Sequence, residues 1–554
     1  MATEFKLFAP YNNVAALIGC FSDWQDIPMQ KGEDGYFRTQ VDLEDGIYQY
    51  KFRVQSKSGF LQPDEWVEVN DPYMTEMDRR TERGIVHVKN GQLLRDTYVW
   101  QHDGNPLPAN HELVIYELHV ADFVGGETGV ADKFQRAIDK LDYLADLGVN
   151  AIELMPITEY AGDYRWGYLV RYYFAPESSY GTPEDLKRFV DECHARGIRV
   201  IMDGIFNHTD DQSPLLLIDR DYWYYHDKHY PDDPANYWGP EFNYDHYDEN
   251  LDIRPAWSFF GDVVRYWVEE YHIDGIRYDA VRQLANYEFF SWLTQQVDNL
   301  VAGKKPFFHI AEHIPDTSDI IKPQGPFEAC WHESFRFFVK DAVLGEPIPL
   351  EKLQEALDPR QQGYPHMGNV INYLATHDRE HMIVELANEG IVHKEAFRRV
   401  KMAATLLMTA PGVPLIWMGD EFAQNTHKTI TTLQPNPLRW SLLEQPLNQD
   451  LQDFYKRLIA LRKKVPAFLT DEIDFFHGDP EARVLAYLRW NEAGSRAIVV
   501  VNLNGESFPQ YTCPNAPPDT TWHDWQDDRA ITVEAGNLAL NLPGFTAKIL
   551  VCTS

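Results

Sequence analysis

The sequence has 554 residues, more than a single domain commonly holds, so we expect two to four domains. Its 85 acidic and 50 basic residues give a net charge of −35, which repels nucleic acid and anionic membrane surfaces and tolerates a neutral partner. No apolar run reaches the roughly 18 residues of a membrane span, and the first residues lack the features of a secretory signal.

The cysteines are few, odd in number and widely spaced along the chain. This spacing favours reduced thiols in the cytoplasm over a disulfide framework or a zinc site. The five residues are Cys20, Cys193, Cys330, Cys513 and Cys552.

Residues 1–95 consist of short alternating runs such as 36–43 and 48–54, broken by Gly, Asp and Asn. This pattern predicts an N-terminal β-sandwich. Residues 96–112 contain GNPLPAN and are predicted to form a linker.

From residue 113 the pattern changes to apolar strands alternating with amphipathic helices, of which 134–148 and 183–197 both end at a glycine. Such alternation predicts a parallel sheet. A three-layer sandwich is the competing architecture, but the count of eight strands favours a closed barrel. The predicted strands lie in 113–120, 150–156, 198–208, 273–280, 307–313, 327–333, 369–378 and 413–421.

The predicted fold class is therefore α/β, a (β/α)₈ TIM barrel with an N-terminal β-sandwich and a C-terminal all-β domain. We place the barrel at 113–468, with an aromatic and acidic insertion at 209–255 after the third strand. Residues 469–554 return to β patterning and form the predicted C-terminal domain.

Polar side chains follow four of the predicted barrel strands at their carboxyl ends, where active sites of such barrels lie. An ionised group there is costly unless it is paired, so these residues are expected to contact one another. They are Asp203, Asn207, His208, Arg277, Asp279, Glu312, His377 and Asp378.

Two carboxyl groups about 5–5.5 Å apart can cleave a glycosidic bond with retention of configuration. One attacks the anomeric carbon, and the other begins protonated and donates its proton to the leaving oxygen. Arg277 lies two residues before Asp279, so both point to one face, and we expect its charge to hold Asp279 ionised at neutral pH.

Four short segments resemble, in order, the conserved regions of the α-amylase family of glycoside hydrolases. They are DGIFNH at 203–208, DGIRYDAV at 274–281, IAEH at 310–313 and ATHD at 375–378. The resemblance spans roughly 113–465.

This resemblance implies Asp279 as nucleophile, Glu312 as acid and base, and Asp378 as stabiliser of the transition state. It also implies that WGY at 166–168 places Tyr168 against the sugar in subsite −1, the position that precedes the cleaved bond. The implied neighbours of that sugar are Asp203, His208, Arg277 and His377.

The segment at 5–24 is similar to the β-sandwich module that precedes the barrel in branching, debranching and trehalose-releasing enzymes. Such modules resemble carbohydrate-binding modules, which makes Trp24 and Trp66 candidate platforms for sugar rings. The alternative is that both are core aromatics. In the insertion, Trp238 is the preferred substrate contact, with ordinary loop packing as the alternative.

No cofactor is required by this chemistry, and no metal ligands are assigned. In many α-amylases the residue that matches Asn207 helps bind structural calcium together with acids of the insertion, which here include Asp210, Asp211 and Asp221. Those acids are equally compatible with solvated loop positions, since calcium needs about 6–8 oxygen ligands.

The partner implied is an α-glucan such as starch, glycogen or a maltooligosaccharide, and the first hypothesis is α-amylase-type hydrolysis of α-1,4 bonds. Residues 372–386 resemble bacterial amylases, and His313 follows Glu312 where branching enzymes usually carry a second acid.

A branching enzyme is the second hypothesis, which the N-terminal module, 166–168, 279–281 and 418–422 favour. WHESF at 331–335 is faintly similar to trehalose-releasing hydrolases, and a debranching enzyme is a related option. An inactive glucan-binding protein is the non-enzymatic alternative, which the presence of all three acids disfavours.

Overall fold

The computed structural model describes residues 2–94, 97–125, 130–162, 164–227, 229, 237–427, 434–517 and 521–552. Within these residues no helix is long and apolar enough to cross a bilayer.

Eight parallel strands close into a barrel in chain order, and the first pairs with the eighth through Ile115 and Leu415. The predicted barrel, its strand count and its strand order are confirmed. Barrel strands 1 to 8 are Ile115–Leu118, Ala151–Leu154, Arg199–Gly204, Gly275–Tyr278, Phe308–Ala311, Ala329–Trp331, Val370–Tyr373 and Val413–Trp417.

Side chains alternate between the inside and the outside of the barrel, as the two-residue period of a strand requires. Ile115, Ile201 and Ile310 belong to the buried cluster that fills the barrel. Tyr116 and Ile276 belong to the larger cluster that joins the strands to the surrounding helices. Both faces of the strands are therefore dry, and an ionised group is tolerated only at the ends.

Helices surround the strands, and several begin at a defined cap. Thr182 caps the helix that starts at Pro183, accepting a hydrogen bond from the backbone N–H of Asp185. The α-helices are Val120–Val124, Lys133–Ile138, Leu141–Leu147, Pro183–Ala195, Pro214–Trp223, Pro255–Glu270, Val281–Leu284, Tyr287–Val301, Glu333–Leu344, Leu350–Leu357, Met382–Asn388, His393–Thr409 and Pro446–Lys464.

The helix predicted at 134–148 is two helices rather than one. At their junction the N–H of Lys140 bonds the carbonyl of Ala137, and the N–H of Tyr143 bonds the carbonyl of Lys140. Such three-residue spans tighten the turn and interrupt the α-helix. The second helix ends at Gly148, which adopts a positive φ of 98°.

Two antiparallel sheets precede the barrel and share one core that includes Phe5, Leu17, Phe37 and Phe52. This is the predicted N-terminal sandwich. The smaller sheet contains Ala2–Phe8, Gln30–Lys31 and Tyr36–Asp42, and the larger contains Ala15–Gly19, Ile27–Pro28, Gly46–Gln55, Trp66–Val69, Met77–Asp78, Arg83–Lys89 and Gln92–Leu93.

The C-terminal region is all-β, as predicted, with a core that includes Val484, Ile498, Trp522 and Leu550. One sheet has six strands and a second has two. Their strands are Ile473–Asp479, Val484–Trp490, Arg496–Asn502, Thr521–Asp524, Arg529–Thr532 and Thr546–Cys552, then Phe508–Cys513 and Leu538–Leu542. The boundaries proposed between the three regions stay predictions.

The N-terminal sandwich forms hydrogen bonds with the insertion that follows barrel strand 3 and packs against it. The side chain of Asn12 donates to the carbonyls of Gln55 and Ile218 at 2.9 and 3.0 Å. The Ser56 hydroxyl donates to the carbonyl of Leu217 at 2.7 Å. Ile218 is itself part of the sandwich core, so the insertion and the sandwich fold against each other.

Candidate active site

The residues predicted for the site lie at one rim of the barrel. Asp203 lies within barrel strand 3, Arg277 within strand 4, and Asp279 directly after strand 4. Glu312 directly follows strand 5, and Asp378 lies five residues after strand 7. Because all eight strands are parallel, these carboxyl ends meet at the same end of the barrel.

Arg277 is fully buried and holds three carboxylates together. Its Nη1 donates to Oδ1 of Asp203 at 2.6 Å and to Oδ1 of Asp279 at 2.9 Å. Its Nη2 lies 2.9 Å from Oε2 of Glu312. The two carboxyl groups of the predicted pair therefore contact the two terminal nitrogens of a single guanidinium.

Asp279 keeps a proton more readily than the sequence suggested. Burial raises its pKa well above the ordinary value, and the neighbouring Glu312 and Asp203 raise it further against the opposing charge of Arg277. Arg277 lowers the pKa of Asp279 as expected, but burial and the neighbouring acids oppose it, so the expectation that its charge holds Asp279 ionised gains no support for the free site. One guanidinium does not neutralise three buried carboxylates, so the acids compete for a proton.

Glu312 is fixed from a second direction. Its Oε2 accepts a hydrogen bond from the backbone N–H of Ala280 at 3.0 Å, immediately after Asp279. Ala280 adopts a positive φ of 50°, an uncommon conformation for a residue with a Cβ. This backbone turn aims the N–H at Glu312 and links the ends of strands 4 and 5.

His377 lies between two carboxylates. Its Nδ1 lies 2.7 Å from Oε1 of Glu117, and its Nε2 lies 3.3 Å from Oδ2 of Asp378. Burial lowers the pKa of His377, but the two carboxylates outweigh burial and raise it to about 10. His377 is thus an imidazolium at neutral pH, with one N–H directed toward each acid.

Tyr168 joins the histidine to the carboxylate cluster. Its hydroxyl donates to Oδ2 of Asp203 at 2.7 Å. Its ring stacks on His377, with centroids 4.9 Å apart and planes 21° apart. Trp331 lies beneath Arg277, whose guanidinium carbon is 4.4 Å from the ring centroid.

His208 and Trp238 lie beside each other, with ring centroids 5.4 Å apart. His208 is buried, and burial lowers its pKa to about 4, so the ring is neutral at pH 7. Trp238 is 42 % exposed. The structure therefore places Trp238 at the edge of the site with a free ring surface rather than in the core.

Two residues of the site, Glu117 and Trp331, were missed from the sequence, and so was the buried acid Glu153 on the strand next to Glu117. Glu117 and Glu153 are single acids within the apolar strands IYEL and AIEL, and both are buried. An acid inside such a strand was the available signal, because its burial requires a partner or a proton. Burial and the charge of Glu117 raise the pKa of Glu153 well above its usual value.

The acids of the insertion belong to no group of three or more His, Cys, Asp or Glu side chains that could hold a metal ion among the described residues. Asp210 instead pairs with Arg171 at 3.1 Å. Asp221 lies 3.5 Å from His226. The calcium hypothesis gains no support from these contacts.

The two tryptophans of the N-terminal sandwich are not enclosed in its core. Trp66 is 41 % exposed, with the Arg53 guanidinium carbon 5.7 Å from its ring centroid. Trp24 is half-buried beneath Arg83, at 3.8 Å. The alternative that both are core aromatics is wrong for Trp66, and binding of sugar by either stays a prediction.

A barrel with paired carboxylates at its carboxyl rim defines a glycoside hydrolase class of enzyme. The family model for the α-amylase catalytic domain matches residues 119–251 and 223–445, and the model for carbohydrate-binding module 48, the isoamylase N-terminal domain, matches residues 1–74. The chain belongs to the α-amylase family.

Its relatives differ in the reaction that their names state. The 1,4-alpha-glucan branching enzyme GlgB of Pseudoalteromonas atlantica is 25% identical over 545 residues, which is 90% of this chain and 72% of that protein. The malto-oligosyltrehalose trehalohydrolase of Saccharolobus solfataricus is 26% identical over 525 residues, which is 83% of this chain and 85% of that protein.

Among solved structures, pullulanase type I from Bacillus subtilis complexed with maltose superposes with a TM-score of 0.82 at 22% identity. The match covers 100% of this chain and 84% of that one. This likeness supports the fold, including the sandwich before the barrel and the β-region after it.

Proposed function

We propose that this enzyme cleaves α-glucosidic bonds in α-glucans with retention of configuration, by double displacement. The observation that carries the proposal is that Asp279 and Glu312 contact the two terminal nitrogens of the buried Arg277. A retaining glycosidase needs two carboxyl groups that face each other across one glycosidic bond.

Asp279 attacks the anomeric carbon, and Glu312 gives its proton to the leaving oxygen. In the second step Glu312 removes a proton from the acceptor hydroxyl, which displaces the carboxylate of Asp279 from the sugar. The mechanism needs Glu312 protonated and Asp279 ionised when the substrate is bound. Arg277, whose Nη1 donates to Asp279, stabilises that ionised form.

The surrounding residues bind the sugar that precedes the cleaved bond. Asp378, 35 % exposed at its side chain, is oriented by His377 and reaches ring hydroxyls. The neutral His208, whose ring lies beside that of Trp238, is proposed to line the same sugar position. Tyr168 supports the ring face and Trp238 contacts the substrate at the rim.

The substrate class follows from the names of the relatives and from the charge of this chain. Branching enzyme, trehalohydrolase and pullulanase relatives point to α-glucans. A chain with a net charge of −35 accepts a neutral polymer without electrostatic penalty. Trp66, exposed on the N-terminal sandwich, is proposed to hold a second part of the polymer.

The proposed reaction is hydrolysis of α-1,4 bonds, with water as the acceptor. His313 occupies the position after Glu312, and its Nδ1 donates to the carbonyl of Pro315 at 2.7 Å. Branching enzymes usually carry a second acid at this position. In this chain the position holds a histidine, which is hydrogen-bonded to its own loop. We place the enzyme in the cytoplasm, since all five cysteines are free.

Branching is the second candidate, in which a glucan 6-hydroxyl replaces water. It is favoured by GlgB relatives that align over 90% of this chain. The carboxylate pair serves either acceptor, so the loops that bind the acceptor decide the outcome.

Incubation with amylose separates these reactions. Hydrolysis produces new reducing ends, and the first product is the α-anomer in ¹H NMR spectra. Branching lowers iodine staining without new reducing ends, and a debranching enzyme then releases short chains. Pullulan in a parallel reaction reports cleavage of α-1,6 bonds. A protein that changes none of these polymers contradicts the proposed function, with Glu312→Gln as the inactive control.

A further inference from the structure

A pocket of about 410 Å³ lies away from the rim, between the barrel and the C-terminal β-region. Its walls come from helices His393–Thr409 and Pro446–Lys464 and from the region around strand Thr546–Cys552. Its volume lies within the range of small-molecule sites. None of its lining residues belongs to the candidate active site.

Basic residues outnumber acids among the residues that line this pocket, the reverse of the whole chain. Four basic residues line it, Lys394, Arg398, Lys401 and Lys548, against one acid among the described lining residues, Asp450. The whole sequence has 50 basic and 85 acidic residues. An anion is therefore repelled by most of the protein surface and attracted to this pocket.

Two of the four cations are already held by acids. Lys401 pairs with Asp450 at 2.5 Å, and its ammonium lies 5.1 Å from the centroid of the Phe454 ring. Lys548 pairs with Asp527 at 2.6 Å and with Asp524 at 3.3 Å.

The other two cations are available for a ligand. Lys394 and Arg398 are one helical turn apart on the same face of the helix, and both are exposed. Neither forms an ion pair within 4.0 Å with any residue in the described part of the chain. An ammonium and a guanidinium at this spacing can share the oxygens of one phosphoryl group, which the planar guanidinium contacts with two N–H groups.

Apolar side chains complete the pocket. Phe397 and Leu447 are half-buried and contribute accessible apolar surface, whereas Phe454 and Met402, which also line the pocket, are 8 % and 1 % exposed. Inorganic phosphate alone would leave this surface exposed to water, whereas the organic part of a phosphate ester would cover it.

We propose that this pocket binds a small phosphate ester, a phosphorylated sugar or a nucleoside monophosphate, with Lys394 and Arg398 on the phosphoryl group. The ligand would bridge the helix that leads into barrel strand 8 and the C-terminal sheet. The proposal does not depend on the glucan reaction, because its readout is binding to the full-length protein.

The test is calorimetric titration of the full chain with glucose 6-phosphate, AMP, inorganic phosphate and glucose. We expect saturable, salt-sensitive binding of at least one ester, weaker binding of phosphate, and none of glucose. The preferred ester distinguishes the two sources of the phosphoryl group. Lys394→Gln/Arg398→Gln should weaken binding about tenfold or more, since each lost contact involves a charged donor.

The matched control is Arg265→Gln/Lys304→Gln, which removes one arginine and one lysine from exposed positions outside the pocket. This control should bind as the unmodified protein does. All substituted side chains are exposed, so folding should be retained, and circular dichroism checks it. Absence of saturable binding at millimolar ligand, or equal binding by both double variants, overturns the proposal.

Discussion

Oε1 of Glu117, in barrel strand 1, lies 2.7 Å from Nδ1 of His377, which follows barrel strand 7. Both side chains are buried, and the other nitrogen of His377 faces Asp378. No hydrogen bond or ion pair in the described part of the chain joins the Glu117 side chain to Asp279 or Glu312. Its position indicates that it orients and charges the histidine, which in turn positions Asp378.

Glu117→Gln removes one of the two carboxylates that keep His377 protonated. We expect kcat/KM for amylose to fall about tenfold to a hundredfold, the cost of one charged hydrogen bond. The alkaline limb of the activity profile should move to lower pH, because the pKa of His377 is raised to about 10 by Asp378 and Glu117 together, against the lowering effect of burial.

The matched control is Glu153→Gln on the neighbouring strand. Burial and the charge of Glu117 raise the pKa of Glu153 well above its usual value, which favours the protonated acid, and the amide resembles that form. Its activity profile should change little. A loss of thermal stability in Glu117→Gln without movement of the alkaline limb would show a structural role alone.

Glu312→Gln should lower turnover of amylose about 10²- to 10⁴-fold, through loss of the proton donor. α-Maltosyl fluoride separates the two steps, because fluoride leaves without protonation. With this substrate we expect a glycosyl adduct on Asp279 to accumulate in Glu312→Gln, since the base for the second step is missing. Mass spectrometry of the intact protein measures the adduct.

Asp279→Asn is the companion variant and should form no adduct with the same fluoride. Its turnover of amylose should also be lost, because no nucleophile remains. An adduct in Asp279→Asn, or one located on another acid in Glu312→Gln, would contradict the assigned roles.

Trp238→Ala should raise KM for both short maltooligosaccharides and amylose about two- to tenfold, which corresponds to the loss of one aromatic contact. Trp66→Ala is the matched substitution on the N-terminal sandwich, and these two rings are similarly exposed. It should raise KM for amylose and leave that for maltotetraose unchanged. If both variants raised KM for maltotetraose equally, the proposal that Trp238 lies at the active site and Trp66 at a separate glucan-binding position would be refuted.

Asn12→Ala should destabilise the protein by about 2 kcal/mol or more, because the carbonyls of Gln55 and Ile218 each lose a buried donor. The adjacent Asn13→Ala is the control, since its side chain makes one exposed hydrogen bond of 3.3 Å with Asp64. Thermal unfolding of the two variants measures the difference. Equal transition temperatures would mean that these contacts do not hold the sandwich to the insertion.

Glu421 gives a pH-dependent stability outside the carboxylate cluster. Burial raises its pKa to about 7, although the hydroxyls of Tyr143 and Tyr116 donate to it and lower the pKa. The pKa of Glu421 in the folded protein exceeds the value of about 4.3 in the unfolded chain. Protonated Glu421 therefore stabilises the fold fully below a pH of about 4.3, and this stabilisation is lost as pH rises through about 7.

Glu421→Gln replaces the ionisable carboxyl with a neutral amide, so the loss of folding stability that comes from ionisation of Glu421 no longer occurs. Between pH 5 and pH 7.5 we expect the variant to lose less stability than the unmodified protein, by up to about 3 kcal/mol. Calorimetry at the two pH values measures the difference in transition temperature. Glu444→Gln, an exposed position, should follow the unmodified protein. If the transition temperatures of all three proteins changed equally between the two pH values, Glu421 would not be the source of the pH dependence.

The barrel was predictable because each strand is a short apolar run followed by polar residues, as around Asp203 and Arg277. The same contrast located the site, since a charge that follows a buried strand must have a partner. Glu117 and Glu153 were missed because each lies inside such a run, where one acid does not change the pattern. Their partners are far away in sequence.

The raised pKa of Asp279 was not predictable from a list of neighbours. Arg277 is close in sequence, and its effect was foreseen, but Asp203 and Glu312 approach only when the barrel closes. The same holds for the hydrogen bond from Asn12 to the carbonyl of Ile218, which depends on how the sandwich packs against the insertion. Local patterns predicted elements, whereas energies that depend on several elements required the three-dimensional arrangement.

Arg277 has no solvent-exposed surface and contacts acids from three different strands or strand ends. A neutral side chain there would leave three unneutralised carboxylates in a dry site, so removing this cation would abolish function and damage folding at once. Natural variants with a new bond preference should therefore keep this residue and vary the 209–255 insertion instead. Libraries designed to redirect the enzyme are best restricted to such peripheral positions.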